Sequence, residues 1–366
     1  MTERETDRVR GSFLGSAAGD ALGYPVEFLP WASIRKTYGP EGIRTYRPDP
    51  RTGTAVISDD TQMCLFTANG ILLAETDRRL KGIPSPLDET VYRAYLEWLR
   101  TQEDGPVEPH RCWVYEIPEL HRNRAPGNTC LAALESGRMG TMAFPLNSSK
   151  GCGGVMRVAP LALHSGTGND ASLRELDREG AALAAITHGH PLGYIPAAIL
   201  THVLSLCVFG NGTLREAVED ARRVFREIFD APALVRETDR MDSLILRAET
   251  LSEKSGSDAE QIRELGEGWT GEETLAIALY CALRYPEDFS AGIRASVNHS
   301  GDSDSTGAVT GQILGACVGY EAMEEIWKEN LERKDVLLEM AEDLCLGCPG
   351  EGEERTGAWK RKYCLG

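Results

Sequence analysis

Apolar residues recur at helical spacing along much of the chain. Three stretches show this pattern, with apolar positions three or four residues apart: Val91, Tyr92, Tyr95, Leu96 and Leu99; Leu214, Ala217, Val218, Ala221, Val224 and Phe225; and Leu275, Ala276, Leu279 and Leu283. Long alternations of apolar and polar residues are scarce, and Asn211-Gly212 precedes a helical pattern instead of joining two strand patterns. We therefore predict a mostly α-helical protein with many short to medium helices and irregular loops.

Local residues predict where several helices begin and end. Thr213 and Thr270 each precede a helical pattern, and a threonine hydroxyl can accept a hydrogen bond from a free amide of the first turn. Helix-breaking residues separate the periodic stretches, at positions 84–86, 105–106, 166–169, 210–212 and 266–271.

Small residues are spaced so that two helix backbones can approach closely. Gly311, Gly315 and Gly319 fall at every fourth position, and Gly15 and Gly19 repeat this spacing near the start of the chain. Such spacing places glycines on one helix face. We predict that both stretches form buried central helices and that the polar motifs beside them lie at the helix ends.

Length and composition indicate a substantial core and show no boundary between two domains. The chain has 366 residues, of which 42% are hydrophobic, which is enough for a substantial core. No shift in composition or low-complexity linker separates two parts, so we expect a single domain over residues 1–366. Residues 347–366 are charged and rich in glycine, and we expect them to form a loose tail.

Charge and cysteine usage exclude several classes of protein. The formal net charge of −17 repels nucleic acids and anionic membranes, so we expect neither as a partner. No apolar run approaches the ~18 residues that are needed to span a bilayer. The stretch Met1–Arg10 is charged and lacks a signal-peptide core, so the ten cysteines are expected to be reduced thiols in the cytosol. Cys345 and Cys348 form a Cys-x-x-Cys pair near Cys364, but a structural zinc site would need a fourth ligand.

Two short acidic motifs are the main candidates for chemistry. Ser58-Asp59-Asp60-Thr61 and Asp302-Ser303-Asp304-Ser305-Thr306 each run into an apolar helical pattern. Hard divalent cations prefer such oxygen ligands, and two motifs supply enough oxygens for two metals in one site. The alternative is helix capping, since Asp, Ser and Thr also favour helix starts. An EF-hand is excluded because its twelfth position, which must be Glu, is Ile313.

Three further segments offer groups for binding or proton transfer. The stretch Lys150-Gly151-Cys152-Gly153-Gly154 could present backbone amides to an anion, or its glycines could serve only a tight turn. In Thr187-His188-Gly189-His190 the histidines could pack, ligate a metal or lie near a ribose or phosphate. Glu27 follows a helix end and a proline, and is either a general acid or base or a surface carboxylate.

Taken together and in order, these motifs resemble the ADP-ribosylglycohydrolase family over nearly the whole chain. The resemblance rests on Gly19-Asp20-Ala21-Leu22-Gly23, Ser58-Asp59-Asp60-Thr61, Lys150-Gly151-Cys152-Gly153, Met156-Arg157, Thr187-His188 and Gly301-Asp302-Ser303-Asp304-Ser305-Thr306-Gly307. Within the family, Arg124-Ala125-Pro126-Gly127-Asn128-Thr129 and the glycine loop look closest to the ADP-ribosylarginine hydrolase branch. The serine-directed branch tends to have an aromatic residue and an Asn where this chain has Gly151 and Gly153.

The resemblance implies a fold, a cofactor and roles for particular residues. The implied fold is all-α, a compact orthogonal multi-helix bundle with a binuclear cleft that holds two Mg²⁺ or Mn²⁺ ions. The implied metal ligands are Ser58, Asp59, Asp60, Asp302, Asp304 and Ser305. The implied catalytic residues are Asp59, Asp60, Asp304 and Glu27, the last matching an acidic residue on a flap of related enzymes. The implied substrate-binding residues are Asn128, Lys150, Gly151, Cys152, Gly153, Gly154 and His188.

The function implied is a metal-dependent hydrolysis of a ribose–nitrogen bond, which removes ADP-ribose from arginine side chains of modified proteins. The expected partners are an ADP-ribosylated protein and ADP-ribose. Glycosidic cleavage builds positive charge at the anomeric carbon, which nearby carboxylates would stabilise. The alternatives are a hydrolase of serine-linked or small-molecule ADP-ribose conjugates, and a non-catalytic ADP-ribose-binding relative.

Overall fold

The computed structural model describes residues 1–103, 109–164 and 170–365. The helix-breaking residues predicted at 105–106 and 166–169 lie outside these ranges. Within them the chain forms seventeen α-helices and no named strand, and the all-α prediction is confirmed. Backbone pairing of the β type is limited, within the same ranges, to the isolated bridges Ala55–Leu331 and Gly151–Thr270.

The helices of the first half are α1 (Glu3–Gly23), α2 (Trp31–Tyr38), α3 (Asp59–Leu80), α4 (Leu87–Thr101), α5 (Asn128–Glu135), α6 (Ala159–His164), α7 (Asp170–Ala185), α8 (Pro191–Phe209) and α9 (Leu214–Ile228). Those of the second half are α10 (Val235–Glu253), α11 (Asp258–Arg263), α12 (Gly271–Arg284), α13 (Phe289–Val297), α14 (Ser303–Val318), α15 (Glu325–Lys328), α16 (Lys334–Leu346) and α17 (Thr356–Tyr363). Short 3₁₀ turns occur at Tyr24–Val26, Trp113–Glu116, Pro118–Leu120, Cys152–Gly154 and Pro232–Leu234.

The three periodic stretches of the sequence correspond to α4, α9 and α12, as predicted. Thr213 caps α9 in a full capping box: its hydroxyl accepts from the Glu216 amide at 3.2 Å, and the Glu216 carboxylate accepts from the Thr213 amide at 2.7 Å. Thr270 does occupy the N-cap position of α12. However, its hydroxyl makes no capping hydrogen bond and has no hydrogen-bond partner among the described residues. The predicted position of the cap is therefore right, and the predicted capping hydrogen bond is wrong.

Helices α1 and α14 lie against each other in the buried centre and run antiparallel. A Cβ atom added at Gly11, Gly15 or Gly19 would lie only 2.4, 2.3 or 1.9 Å from the carbonyl oxygens of Gly315, Gly311 and Gly307, respectively. The two backbones are therefore in direct contact, which only glycine allows. The predicted close approach is confirmed, except that Gly319 lies beyond the helix and ends α14 with a φ of 81°.

The expectation that no apolar run is long enough to span a bilayer is wrong for α8. This 19-residue helix has a mean hydropathy of 1.9, and by length and composition alone it could cross a membrane. However, 89% of its apolar window is buried inside the protein. Helix α8 packs against α6, α7, α9 and α12, so these helices provide the apolar environment that its sequence requires.

Part of the segment expected to be a loose tail is a packed helix. Within residues 347–366, α17 places Trp359 and Tyr363 in the core, where they are 3% and 0% exposed. The Trp359 indole donates to the Thr76 hydroxyl at 2.9 Å, and the Tyr363 hydroxyl donates to the Asp343 carboxylate at 2.7 Å.

The antiparallel packing of α1 and α14 positions the acidic motifs. The C-terminal end of α1 meets the N-terminal end of α14, since a Cβ at Gly23 would lie 2.3 Å from the Ser303 carbonyl oxygen. Residues just after Gly23 are thus brought beside residues 302–304, which lie about 280 positions later in the chain.

Candidate active site

The two acidic motifs begin helices α3 and α14, as predicted. The Ser58 hydroxyl is the N-cap of α3 and accepts from the Asp60 amide at 3.2 Å, while the Asp302 carboxylate caps α14 and accepts from the Ser305 amide at 3.2 Å. Capping therefore accounts for Ser58 and for one oxygen of Asp302. It leaves the carboxylates of Asp59 and Asp60 available for another role, because neither caps its helix.

Asp20 of α1 holds the start of α3 in place. Its two carboxylate oxygens each accept from the Ser58 amide at 3.0 Å, and one also accepts from the Thr61 amide at 3.2 Å and from the Thr61 hydroxyl. Burial, with the charge of Asp304 nearby, raises the pKa of Asp20 to about 7. Sequence reasoning noted Asp20 only as part of a motif; a charged residue within the apolar run Ala17–Leu22 was the available signal.

Glu27 lies with Asp302 and Asp304 in one group. One carboxylate oxygen from each of the three lies within 4.8 Å of the others. Within the described residues, no other set of three or more His, Cys, Asp or Glu side chains comes this close, the cysteines at 345, 348 and 364 included. Of the two alternatives for Glu27, the surface carboxylate is excluded, because the side chain lines the cleft next to the second acidic motif.

The buried carboxylates strongly disfavour their own ionisation. Burial raises the pKa values of Asp59, Asp60 and Asp302 well above the ordinary value, and the charge of Asp304 adds to the rise. Burial together with Asp304 and Asp302 raises the pKa of Glu27 to about 11. A cation bound among these groups would offset their mutual repulsion.

Two buried carboxylate oxygens also favour a cation bound among these groups. Glu27 Oε2 and Asp60 Oδ2 are buried and have no hydrogen-bond partner among the described residues. Unpaired carboxylate oxygens of this kind are costly unless they are protonated or bind a cation. The donor set consists of oxygens only, which suits a hard divalent cation.

These groups line a cleft of about 280 Å³ together with the glycine loop. The sequence-predicted site residues that line it are Glu27, Asp59, Asp60, Asn128, Gly151, Cys152, Gly153, His188, Asp302, Asp304 and Ser305. The stretch 125–130 forms another part of the wall, and it is tied to α3 because the Asp59 carboxylate accepts from the Gly127 amide at 3.2 Å. The structure thus brings most of the predicted site together.

His188 packs directly beneath the glycine loop. A Cβ at Gly153 would lie 2.9 Å from His188 Cε1, and one at Gly151 would lie 3.2 Å from His188 Nε2. Burial, with Arg157 beside it, lowers the pKa of His188 to about 3, so the imidazole is neutral. The neighbouring His190 instead caps α8, where its Nδ1 accepts from the Leu192 amide at 3.1 Å.

Arg157 supports His188 from the core. Its guanidinium is fully buried, donates to the Thr187 hydroxyl at 2.8 Å and lies 4.4 Å from the centroid of the Tyr95 ring. The Thr187 hydroxyl is in turn 2.8 Å from His188 Nδ1. The motif containing Arg157 was recognised in the sequence, but this bracing role was not, because both partners lie far away in the chain.

Three predicted site residues do not line the cleft. The Lys150 amine pairs with the buried Glu272 carboxylate, which differs from its expected role at a diphosphate. Gly154 packs against the backbone of α8, where a Cβ would lie 2.6 Å from the Gly193 carbonyl oxygen. Ser58 is buried behind Asp59 and Asp60 as a cap.

Two aromatic residues at the mouth of the cleft were missed by sequence reasoning. Phe28 and Trp269 stack with ring centroids 5.2 Å apart and remain 64% and 37% exposed. Phe28 also has a φ of 64°, in the left-handed region that disfavours side chains. The pairing joins residues about 240 positions apart, so local pattern could not indicate it.

Comparisons with known proteins identify the family of this chain. A family model described as ADP-ribosylglycohydrolase matches residues 1–354. The chain is 26% identical to the ADP-ribosylhydrolase ARH3 of Bos taurus, over 91% of this chain and 92% of that protein. It is also 26% identical to the ADP-ribosylarginine hydrolase Tri1 of Serratia proteamaculans, over 94% of this chain and 81% of that protein. A solved structure titled "ADP-ribosylglycohydrolase-related protein complex" matches with a TM-score of 0.63 and 26% identity, covering 94% of this chain and 98% of the other.

Proposed function

The chain belongs to the ADP-ribosylglycohydrolase family, and on this premise we propose that it is a metal-dependent hydrolase that removes ADP-ribose from arginine side chains of modified proteins. The observation that carries the proposal is the juxtaposition, in one cleft, of the carboxylates of Glu27, Asp302 and Asp304 with a loop of small residues. Carboxylates can stabilise the positive charge that develops on the reacting ribose, and a glycine-rich backbone can bind a diphosphate.

The carboxylates have separate tasks in this proposal. Asp59, Asp60, Asp302 and Asp304, with Ser305, would hold Mg²⁺ or Mn²⁺, which supplies Lewis-acid polarisation and orients hydroxyls and water when bound. The same carboxylates stabilise positive charge that develops at the anomeric carbon. Glu27, which lines the cleft beside Asp302 and Asp304, is positioned to exchange a proton with the leaving group or the attacking water.

The rest of the cleft binds ADP-ribose. Gly151 and Gly153 line the cleft and carry no side chains that would block a diphosphate. The neutral His188 ring beneath this loop adds no charge and sets its position. Since Lys150 is engaged by Glu272, we assign the diphosphate to the backbone of the loop instead of to the lysine amine.

Arginine is the proposed linkage for two reasons. A guanidinium is cationic, and the acidic groups of this cleft attract a cation more than a neutral hydroxyl. The chain is also similar to a protein named as an ADP-ribosylarginine hydrolase. One observation favours serine-linked ADP-ribose as the second candidate: the placement of Glu27 in the cleft provides the positioned acid that an alkoxide-like leaving group needs.

A panel of peptides ADP-ribosylated through Arg, Ser, Glu or Cys tests the linkage. We expect kcat/KM for the arginine linkage to exceed that for serine by at least about 10-fold, which corresponds to about 1.4 kcal/mol of transition-state stabilisation. Equal rates, or faster release from serine, would show that the second candidate is correct.

A binding measurement distinguishes the hydrolase from a non-catalytic relative. Isothermal titration with ADP-ribose, with and without Mg²⁺, should show metal-dependent binding, and the same preparation should release ADP-ribose from the panel. Tight binding without release from any linkage would identify a binding protein instead of an enzyme.

A further inference from the structure

A second cavity adjoins the cleft and is lined by four arginines. This cavity, here called the arginine groove, has a volume of about 730 Å³. Its lining includes Arg47, Arg51, Arg122 and Arg124, together with Tyr24 and Pro25. A cluster of arginines is unusual on a chain whose formal net charge is −17.

Two of the four arginines have no carboxylate partner. Arg124 pairs with Glu332 at 3.1 Å, and Arg51 pairs with Asp49 at 3.2 Å. In the part of the chain that the structure describes, Arg47 and Arg122 make no salt bridge, and both are exposed. The groove therefore presents unneutralised positive charge.

Glu119, the third carboxylate of the lining besides Asp49 and Glu332, does not neutralise this charge. Glu119 pairs with Arg333, which lies outside the groove, at 3.0 Å. The Arg47 guanidinium lies 5.7 Å from the centroid of the Tyr38 ring, which holds it in place without removing its charge. A held guanidinium binds a carboxylate at a lower entropic cost than a freely rotating one.

The groove lies beside the acidic end of the cleft. The Asp59 amide donates to the Arg124 carbonyl at 3.1 Å, so the groove wall touches a proposed metal ligand. Tyr24 and Pro25 come just before Glu27 in the chain. The lining of the groove includes neither the glycine loop nor His188, which we assign to the ADP-ribose end.

We propose that the arginine groove binds an acidic segment of the modified protein, next to its ADP-ribosylated arginine. The proposal rests on the proposed function, because it takes the leaving group to be a protein side chain. Guanidinium groups pair with carboxylates in a fork-like geometry. A peptide with Asp or Glu beside the modified arginine would place these carboxylates at Arg47 and Arg122, whereas the diphosphate of ADP-ribose would lie at the glycine loop.

The test uses two variants of the full chain. Arg47→Gln/Arg122→Gln removes the unpaired charges of the groove. Arg236→Gln/Arg240→Gln is the matched control, because it removes two exposed arginines of α10 that line neither cavity. Circular dichroism checks that both variants keep their helical content.

The substrates are two arginine-ADP-ribosylated peptides of equal length, one with Glu and one with Gln at the flanking positions. We expect the native protein to prefer the Glu peptide, and the groove variant to raise KM for it by about 5-fold with little change in kcat. The Gln peptide and the control variant should show no such change, and added salt should reduce the native preference. No native preference, or an equal loss on both peptides, would overturn the proposal.

A binding arm separates this proposal from the proposed function. Fluorescence anisotropy with the unmodified Glu and Gln peptides measures the groove without any turnover. Suppose that the groove variant binds the Glu peptide more weakly than the native protein does, and that the native protein releases no ADP-ribose from arginine. This outcome would refute the proposed arginine hydrolase activity and support the arginine groove as a binding site for acidic peptides. If the groove variant instead loses affinity for an ADP-ribose oligomer and not for the Glu peptide, the groove binds nucleotide and our assignment is wrong.

Discussion

Asp304 is the residue on which the electrostatics of the cleft depend most. Its charge contributes to the raised pKa values of Asp20, Glu27, Asp59 and Asp60, although these residues come from other parts of the chain. It is also one of the three carboxylates whose oxygens lie within 4.8 Å of one another. A single charge at this point therefore influences both acidic motifs.

Replacing Asp304 with Asn should abolish most activity and leave the fold intact. We expect kcat/KM on the preferred linkage to fall by about 10²- to 10³-fold, since an electrostatic partner of the reacting groups is lost. The shape is nearly unchanged, so far-ultraviolet circular dichroism should match the native spectrum. Asp230→Asn, the same change at an exposed position, is the control. Normal turnover by Asp304→Asn in metal-free buffer would refute the metal site.

At the scale of helices, the contact between α1 and α14 sets the geometry of the site. Glycine carbonyls and Cα atoms of the two helices touch, and each helix ends or begins at the acidic groups. A shift of α14 along α1 would move Asp302 and Asp304 relative to Glu27. The spacing of small residues therefore has a functional consequence as well as a packing one.

A methyl group in this contact should destabilise the protein. In Gly311→Ala the added Cβ would lie 1.9 Å from the Gly15 carbonyl oxygen, so the helices must separate. We expect the free energy of unfolding in urea to drop by about 3 kcal/mol or more. Gly357→Ala, on the exposed face of α17 where the nearest atom is 4.0 Å away, should be neutral or slightly stabilising. Equal stabilities of the two variants would mean that α1 and α14 are not in backbone contact.

At the scale of the whole molecule, an acidic chain folds around a cluster of buried carboxylates. The formal net charge is −17, and Asp59, Asp60, Asp302 and Asp304 are each no more than 4% exposed. Such a cluster opposes folding unless protons or cations neutralise it. The predictions of a single domain, a cytosolic location and no nucleic-acid or membrane partner stay predictions.

Divalent cations should therefore stabilise the folded protein. A cation that binds only the folded state adds about 2.7 kcal/mol when its concentration is 100 times its Kd. We expect Mg²⁺ or Mn²⁺ to raise the Tm relative to the chelated protein, and NaCl at equal ionic strength to have little effect. The increase should be largely lost in Asp304→Asn. The same Tm with and without divalent cation would contradict a metal site in this cluster.

The sequence by itself determined the class of the fold and indicated which groups form the candidate site. Helical spacing in stretches such as Leu214–Phe225 indicated α9, since burial of one helix face is a property of neighbouring positions. The acidic motifs predicted helix starts rich in potential oxygen ligands, and the order of the motifs indicated the ADP-ribosylglycohydrolase family. Asp59 and Asp304 could be named from these signals alone.

Only the tertiary structure decided which of these groups meet. It placed Glu27 beside Asp302 and Asp304, engaged Lys150 with Glu272, and enclosed the apolar α8 in the core. The physical reason is that each of these outcomes depends on distances between segments that are remote in the chain. Those distances are set by how helices pack, above all by the glycine contact of α1 and α14, and local residue patterns carry no measure of them.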